Sequence, residues 1–445
     1  MMLKFSRRQF ANNVLKGIAA LTIGSKIGGS EKVYAKPITL ESDKIFFDVK
    51  RDAARQNLPP VRAITYGPKY HWFGYYDKLQ FDPTSRYVLG MEVDFEGRSP
   101  TINDKISIGM VDLNNHNTWI ELDESYAWNW QQGCMLQWRP GSDSEIIWNS
   151  WNKNRFVSYI LDVFTRKKRI IQYPIYALSP DGRTAVTLDF SRLNDVRPGY
   201  GYSGTSDPCK NELAPEKSGI WRLDLETGKR ELIISIADIV NFGEIPDPHP
   251  QAKHYFNHLL FNPDGTRFTF FHRWQYPDGS MKTRMLTCNP DGSEKRIIDD
   301  NGRTSHFFWY DPKHLLVQST QPSQGRAFYL FEDSDNGKIE PILYGQKIFK
   351  CGHVLCLPDK EWILNDTCGP DKFYRQHPYV YHIPSGEGFF LGHFHYPPGH
   401  KGEFRCDNHP RFSPDGRSVV VDSVHGYNGR QMYLIDIDEI LKSKM

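Results

Sequence analysis

The chain has 445 residues, with 55 basic against 53 acidic side chains, a formal charge of +2 and no run of Lys or Arg. That near-balance argues against nucleic acid as a partner, and nothing in the composition points to disorder or a fibrous repeat. Aromatic residues reach 14%, while long Leu/Ala-rich amphipathic stretches are missing after the first few dozen residues, which favours an all-β protein.

The first segment reads as an export signal. Ser6-Arg7-Arg8-Gln9-Phe10 precedes an apolar stretch over residues 14–23, and Val33-Tyr34-Ala35 offers a small-residue cleavage site before Lys36. Paired arginines in that position predict the twin-arginine pathway, with residues 1–35 as the signal peptide and residues 36–445 delivered to the periplasm or the medium. The apolar run is too short for a membrane span. Seven cysteines without regular spacing are expected as mostly buried thiols rather than a disulfide framework.

From there a single unit recurs. An apolar residue, a polar or small one, then Pro and usually Asp-Gly appear at Phe81-Asp82-Pro83, Trp138-Arg139-Pro140-Gly141, Leu178-Ser179-Pro180-Asp181-Gly182 and Phe261-Asn262-Pro263-Asp264-Gly265. Trp309-Tyr310-Asp311-Pro312, Cys356-Leu357-Pro358-Asp359 and Phe412-Ser413-Pro414-Asp415-Gly416 complete the series of seven. Pro presets φ and Asp-Gly tolerates a tight reversal, so each copy is a hairpin turn, and the β-rich run after it is the returning strand. Most copies lie roughly 40 to 60 residues apart, the length of a four-stranded blade. The prediction is a seven-bladed β-propeller over residues 36–445, closed by a strand from residues 45–65 joining the last blade. The wider gap between Pro180 and Pro263 holds an insertion around Arg197-Pro198-Gly199-Tyr200-Gly201-Tyr202, and insertions of that length are usually functional.

Aligning the repeats places His258, His306, His353 and His409 at one position, three residues before the apolar residue, in four successive copies. On innermost strands that position faces the axis. Converging imidazoles, with Cys406 and Asp407 just before His409, suit Zn²⁺ or Mn²⁺; the alternative is that each His caps its own blade. The strand after each turn ends at the same mouth and carries Asn149 with Trp151, Arg192, His272 with Arg273, Asp366 and His425. Arg pairs with anions and aromatics stack on pyranose faces, so this set fits sugars bearing carboxylates or sulfates. An acidic polysaccharide or oligosaccharide is the expected partner; a nucleotide cofactor is not expected, and a monomer is.

Three segments carry a family resemblance: Phe73-Gly74-Tyr75-Tyr76-Asp77-Lys78, the stretch from Tyr176-Ala177-Leu178 through Arg192, and Arg405-Cys406-Asp407-Asn408-His409-Pro410. With these the chain resembles the β-propeller polysaccharide lyases, above all the ulvan lyases and more distantly oligogalacturonate lyase. The resemblance implies β-elimination on a uronate-containing, rhamnose–glucuronate type of polymer. In that scheme Tyr176 exchanges protons at the sugar and Arg192 neutralises the uronate carboxylate, as removal of a proton α to a carboxylate requires. Where those lyases place two histidines before the Tyr, this chain offers Asn129 and Asn149. The propeller also resembles a glycoside hydrolase family that removes L-rhamnose from glucuronate with one histidine, a role that would fall to His71. A third reading is a propeller that binds a glycan or a protein without catalysis.

Overall fold

Pro-Asp-Gly ends one strand and starts the next, and the chain repeats that reversal around an axis. The computed structural model describes residues 58–321, 325–342, 352–367 and 369–444; the expected signal peptide, residues 1–35, lies outside them. They form seven four-stranded antiparallel sheets, the blades of a β-propeller. Blade 1 runs from Tyr70–Trp72 to Thr118–Ser125, blade 2 from Gln137–Trp138 to Lys168–Ile171, and blade 3 from Ala177–Leu178 to Arg230–Ser235. Blade 4 runs from Lys253–Phe261 to Arg296–Asp299, blade 5 from His306–Asp311 to Ile339–Pro341, and blade 6 from Leu355–Cys356 to Glu387–Phe390. Each of the seven prolines sits between the first and second strands of its blade.

Blade 7 is built from both ends of the described chain. Its inner strands Arg411–Phe412, Ser418–Ser423 and Gln431–Asp436 are completed by Val61–Ala63, with Val61 opposite Ile435 and Ala63 opposite Tyr433. The sheet is covered on both sides. Val419 and Val421 enter one inter-blade core with Tyr433 and Ile435, while Val420 enters the next with Met432 and Leu434. This is the period-2 alternation of a strand, and each fully buried valine contributes about 1.5–3 kcal/mol.

Two departures from the regular blade shape the site. In blade 1, Tyr70–Trp72 pairs with the upper end of Tyr87–Val93, the chain then leaves the sheet, and Phe81 rejoins it opposite Val88. Gly74 permits the exit: its φ is +102°, and an added Cβ would stand 2.9 Å from the Gln132 carbonyl carbon. Blade 7 grips the excursion. Asp422 accepts the Gly74 N–H at 3.1 Å and a guanidinium N–H of Arg411 at 2.8 Å, and Arg411 also donates to Gln80 at 2.8 Å. In blade 3, residues 188–218 form the long insertion, starting with helix α1 (Phe190–Val196) capped by the Asp189 carboxylate.

No described helix is long and apolar enough to cross a membrane. Five described cysteines are free thiols, and burial pushes that of Cys406 up to about 12.

Candidate functional site

The blade 1 excursion fills the axis with Tyr75 and Tyr76, and the four repeat-aligned histidines pack around these rings. Tyr76 lies 5.2 Å from the His353 ring, 5.6 Å from His258, 6.0 Å from His306 and 6.4 Å from His409. Among the described residues, the two phenol rings and four imidazoles thus pack together at the axis. The four imidazoles are not equivalent. His258 stacks on Phe307 at 4.2 Å and turns Nε2 toward Tyr76 at 3.3 Å and the buried Asp77 at 3.4 Å. His353 and His409 face each other, Nε2 to Nε2, at 3.1 Å, with the His306 ring 4.4 Å from His353.

Asp407 joins that pair: one ligand atom from each of His353, Asp407 and His409 lies within 4.8 Å of the others, and all three residues are buried. Two imidazoles and a carboxylate form a donor set that fits a divalent ion such as zinc or manganese. The facing Nε2 atoms supply a further test of fit. Two bare lone pairs at that distance repel, so one ring must hold a proton between them unless a cation replaces it. Burial pushes the His353 imidazolium pKa down, but Asp366 outweighs it and leaves the value above the ordinary one, while burial and His353 drive His409 well below it.

Beside this cluster lies a cavity of about 330 Å³ whose walls include Arg197, Tyr200, Arg273, Arg405, His306 and Asp407. The insertion delivers Arg197 and Tyr200, with the Arg197 guanidinium 4.0 Å from the centre of the Tyr200 ring. Arg405 donates to the Tyr200 oxygen and, through Nε, to Asp407 at 2.6 Å. Burial alone would raise the Tyr200 phenol; Arg197 and then Arg405 outweigh it and bring it down to about 8. Two guanidinium donors, Arg197 Nη1 and Arg273 Nε, are buried without a hydrogen-bond partner. Burial also lowers Arg273 to about 10. Unmatched buried donors of this kind call for an anion.

The remaining sequence-derived candidates sit elsewhere. Tyr176 is fully buried beneath the pocket, where its oxygen accepts the His258 backbone N–H at 2.9 Å and the Gln132 amide at 3.0 Å. Burial pushes its phenol far above the ordinary range, opposite to what a base requires. Arg192 lies on α1 and not on a strand. Its guanidinium donates to Asp207 at 2.8 Å and to the carbonyls of His254, Cys209, Glu212 and Leu213, which occupies the fork. Asn149 bonds Ile175, Tyr202 and Ser158; Asn129 caps the turn at Gln131–Gln132. His272 is held between His254 at 2.9 Å and Arg284 at 3.0 Å. Trp151 packs on Phe156, and His425 on Phe394 and Tyr433. His71 is 4% exposed, with one ring nitrogen on Gln431 and the other on Glu92, each at 3.0 Å. Of the strand-end set, Arg273 alone lines the cavity.

The residues missed individually are Tyr75, Tyr76, Arg197, Tyr200 and Arg405. Each stands within a segment singled out in the sequence, but the insertion has no counterpart in other repeats, so alignment could not rank its side chains.

No family model and no curated protein matches this chain in sequence. Its fold does have relatives. An oligogalacturonate lyase in complex with manganese superposes with a TM-score of 0.61 at 16% identity, over 85% of this chain and 93% of that one. An oligogalacturonate lyase from Vibrio parahaemolyticus gives 0.59 at 15% identity, over 87% and 96%. The likeness is one of fold.

Proposed function

We propose that this protein is a lyase that cleaves a uronate-containing oligosaccharide or polysaccharide by β-elimination at the axial pocket. The observation that carries the reading is Tyr200, a phenol lowered to about 8 by Arg197 and Arg405 in a cavity where Arg197 and Arg273 have unmatched donors. The manganese-bound oligogalacturonate lyase among the structural relatives supports it.

Roles follow from chemistry. The substrate carboxylate would meet Arg197 and Arg273, whose free donors strengthen their hold as negative charge builds during removal of the α-proton. Tyr200, as phenolate, would take that proton, and the proton it gains is then available to the departing glycosidic oxygen. His353, Asp407 and His409 would hold a zinc or manganese ion, which when bound supplies positive charge next to the carboxylate. The proton-transfer and carboxylate roles that the family resemblance gives to Tyr176 and Arg192 pass to Tyr200, Arg197 and Arg273, because the former pair is buried in internal hydrogen bonds. Export through residues 1–35 would bring the enzyme to polymers outside the cytoplasm, where a rhamnose–glucuronate chain of the ulvan type is the specific substrate proposed.

The test is product analysis. With Mn²⁺ or Zn²⁺ present, the protein is incubated with oligogalacturonate and, separately, with a rhamnose–glucuronate polymer. An unsaturated uronate from either supports elimination. Free rhamnose with a saturated uronate would establish hydrolysis instead, and no cleavage of either would leave a binding propeller.

A further inference from the structure

The cation reading of His353, Asp407 and His409 leaves open what holds two imidazoles from different blades at one point. Asp366 follows the second strand of blade 6, Trp362–Asn365, at the mouth where the histidines stand. It is 1% exposed. Its Oδ1 accepts the His353 backbone N–H and the His353 Nδ1–H, both at 2.9 Å, and its Oδ2 accepts the His409 backbone N–H at 3.0 Å. Among the described residues, its ion-pair partner is His353. One carboxylate therefore ties together the residues that lead into the first strands of two blades.

Each contact has a consequence for the ring nitrogens. A proton kept on His353 Nδ1 by Asp366 leaves Nε2 as the coordinating atom and fixes the ring plane, the arrangement that outer carboxylates impose on metal-bound imidazoles. His409 has φ +40°, a left-handed conformation disfavoured for a side-chain-bearing residue; the bond from its N–H to Asp366 holds it there and so aims its ring at His353. The backbone leaves little slack. A Cβ on Gly352 would stand 1.7 Å from the Asp366 carbonyl oxygen, so the chain before His353 lies directly against Asp366.

We propose that Asp366 is the positioning residue of a divalent-cation centre at His353, Asp407 and His409, setting the tautomer of the first imidazole and the backbone of the second. The proposal rests on the cation reading above, and the experiment separates the two. Mn²⁺ is titrated into the metal-free full chain and into Asp366→Asn, following free Mn²⁺ by electron paramagnetic resonance. Wild type should bind one ion per chain, and Asp366→Asn should bind about 10–100-fold more weakly. Affinity within two-fold of wild type in a folded variant overturns the positioning role and spares the cation centre. If wild type binds neither Mn²⁺ nor Zn²⁺, both fall. A variant-free measurement covers the case in which Asp366→Asn does not fold: ¹⁵N spectra of Zn²⁺-loaded wild type should show His353 protonated on Nδ1, and a proton on Nε2 overturns the proposal.

Discussion

Arg192 and Arg197 stand five residues apart, one inside α1 and the other at its C-cap. Arg192 keeps the helical backbone, whereas Arg197, at φ −146° and ψ 77°, has already left it, so the chain turns away between them. Arg192 therefore points into the 207–213 segment and Arg197 into the cavity. Opposite outcomes are expected on substitution. Arg192→Ala leaves the fully buried Asp207 without its closest cation, so unfolding free energy should drop by about 3–5 kcal/mol while KM of the folded fraction stays near wild type. Arg197→Ala removes a charged hydrogen-bond donor aimed at the substrate, about 1.5–3 kcal/mol or roughly 10–100-fold in KM, with little change in denaturant midpoint. Chemical denaturation and steady-state kinetics on the two variants check this; matching effects would contradict the assignment. Sequence could not separate these two arginines, because both precede aromatic, Gly-rich chain and only the point at which the helix ends decides which one faces the pocket. The histidines were legible because the repeat supplies a register, and Asp407 because it lies two residues from one of them.

The blade 1 excursion is the element on which the pocket floor depends. Its motif, Phe73-Gly74-Tyr75-Tyr76-Asp77-Lys78, is visible in the sequence, but its departure from the sheet is not, since nothing local distinguishes it from an innermost strand. The cause is long-range: Asp422 and Arg411 of blade 7 capture its backbone. Asp422→Ala should leave the 2%-exposed Arg411 uncompensated and lower stability by about 3–5 kcal/mol, seen as a lower urea midpoint with an unchanged m-value. A loss below about 1 kcal/mol would show that the excursion is held by Tyr75 and Tyr76 packing alone. The seven turns, by contrast, were readable throughout, because Pro and Asp-Gly act within four residues and need no tertiary partner.

At the scale of the whole molecule, the propeller brings one residue from each of several blades to a common axis, and the excursion places Tyr75 and Tyr76 among them. The insertion of blade 3 then supplies Arg197 and Tyr200 to a cavity that Arg273 and Arg405 also line. In the proposed elimination, Tyr200 performs the proton transfer there. The most direct measurement is the pH dependence of kcat/KM for unsaturated-uronate formation in wild type and Tyr200→Phe. A phenol at about 8 is active as phenolate, so the wild-type rate should climb as pH rises through about 8 and level off above it. Tyr200→Phe should lose that rise together with about 10²–10⁴-fold in rate. A Tyr200→Phe protein that keeps the wild-type rate and the same pH profile would exclude Tyr200 as the base.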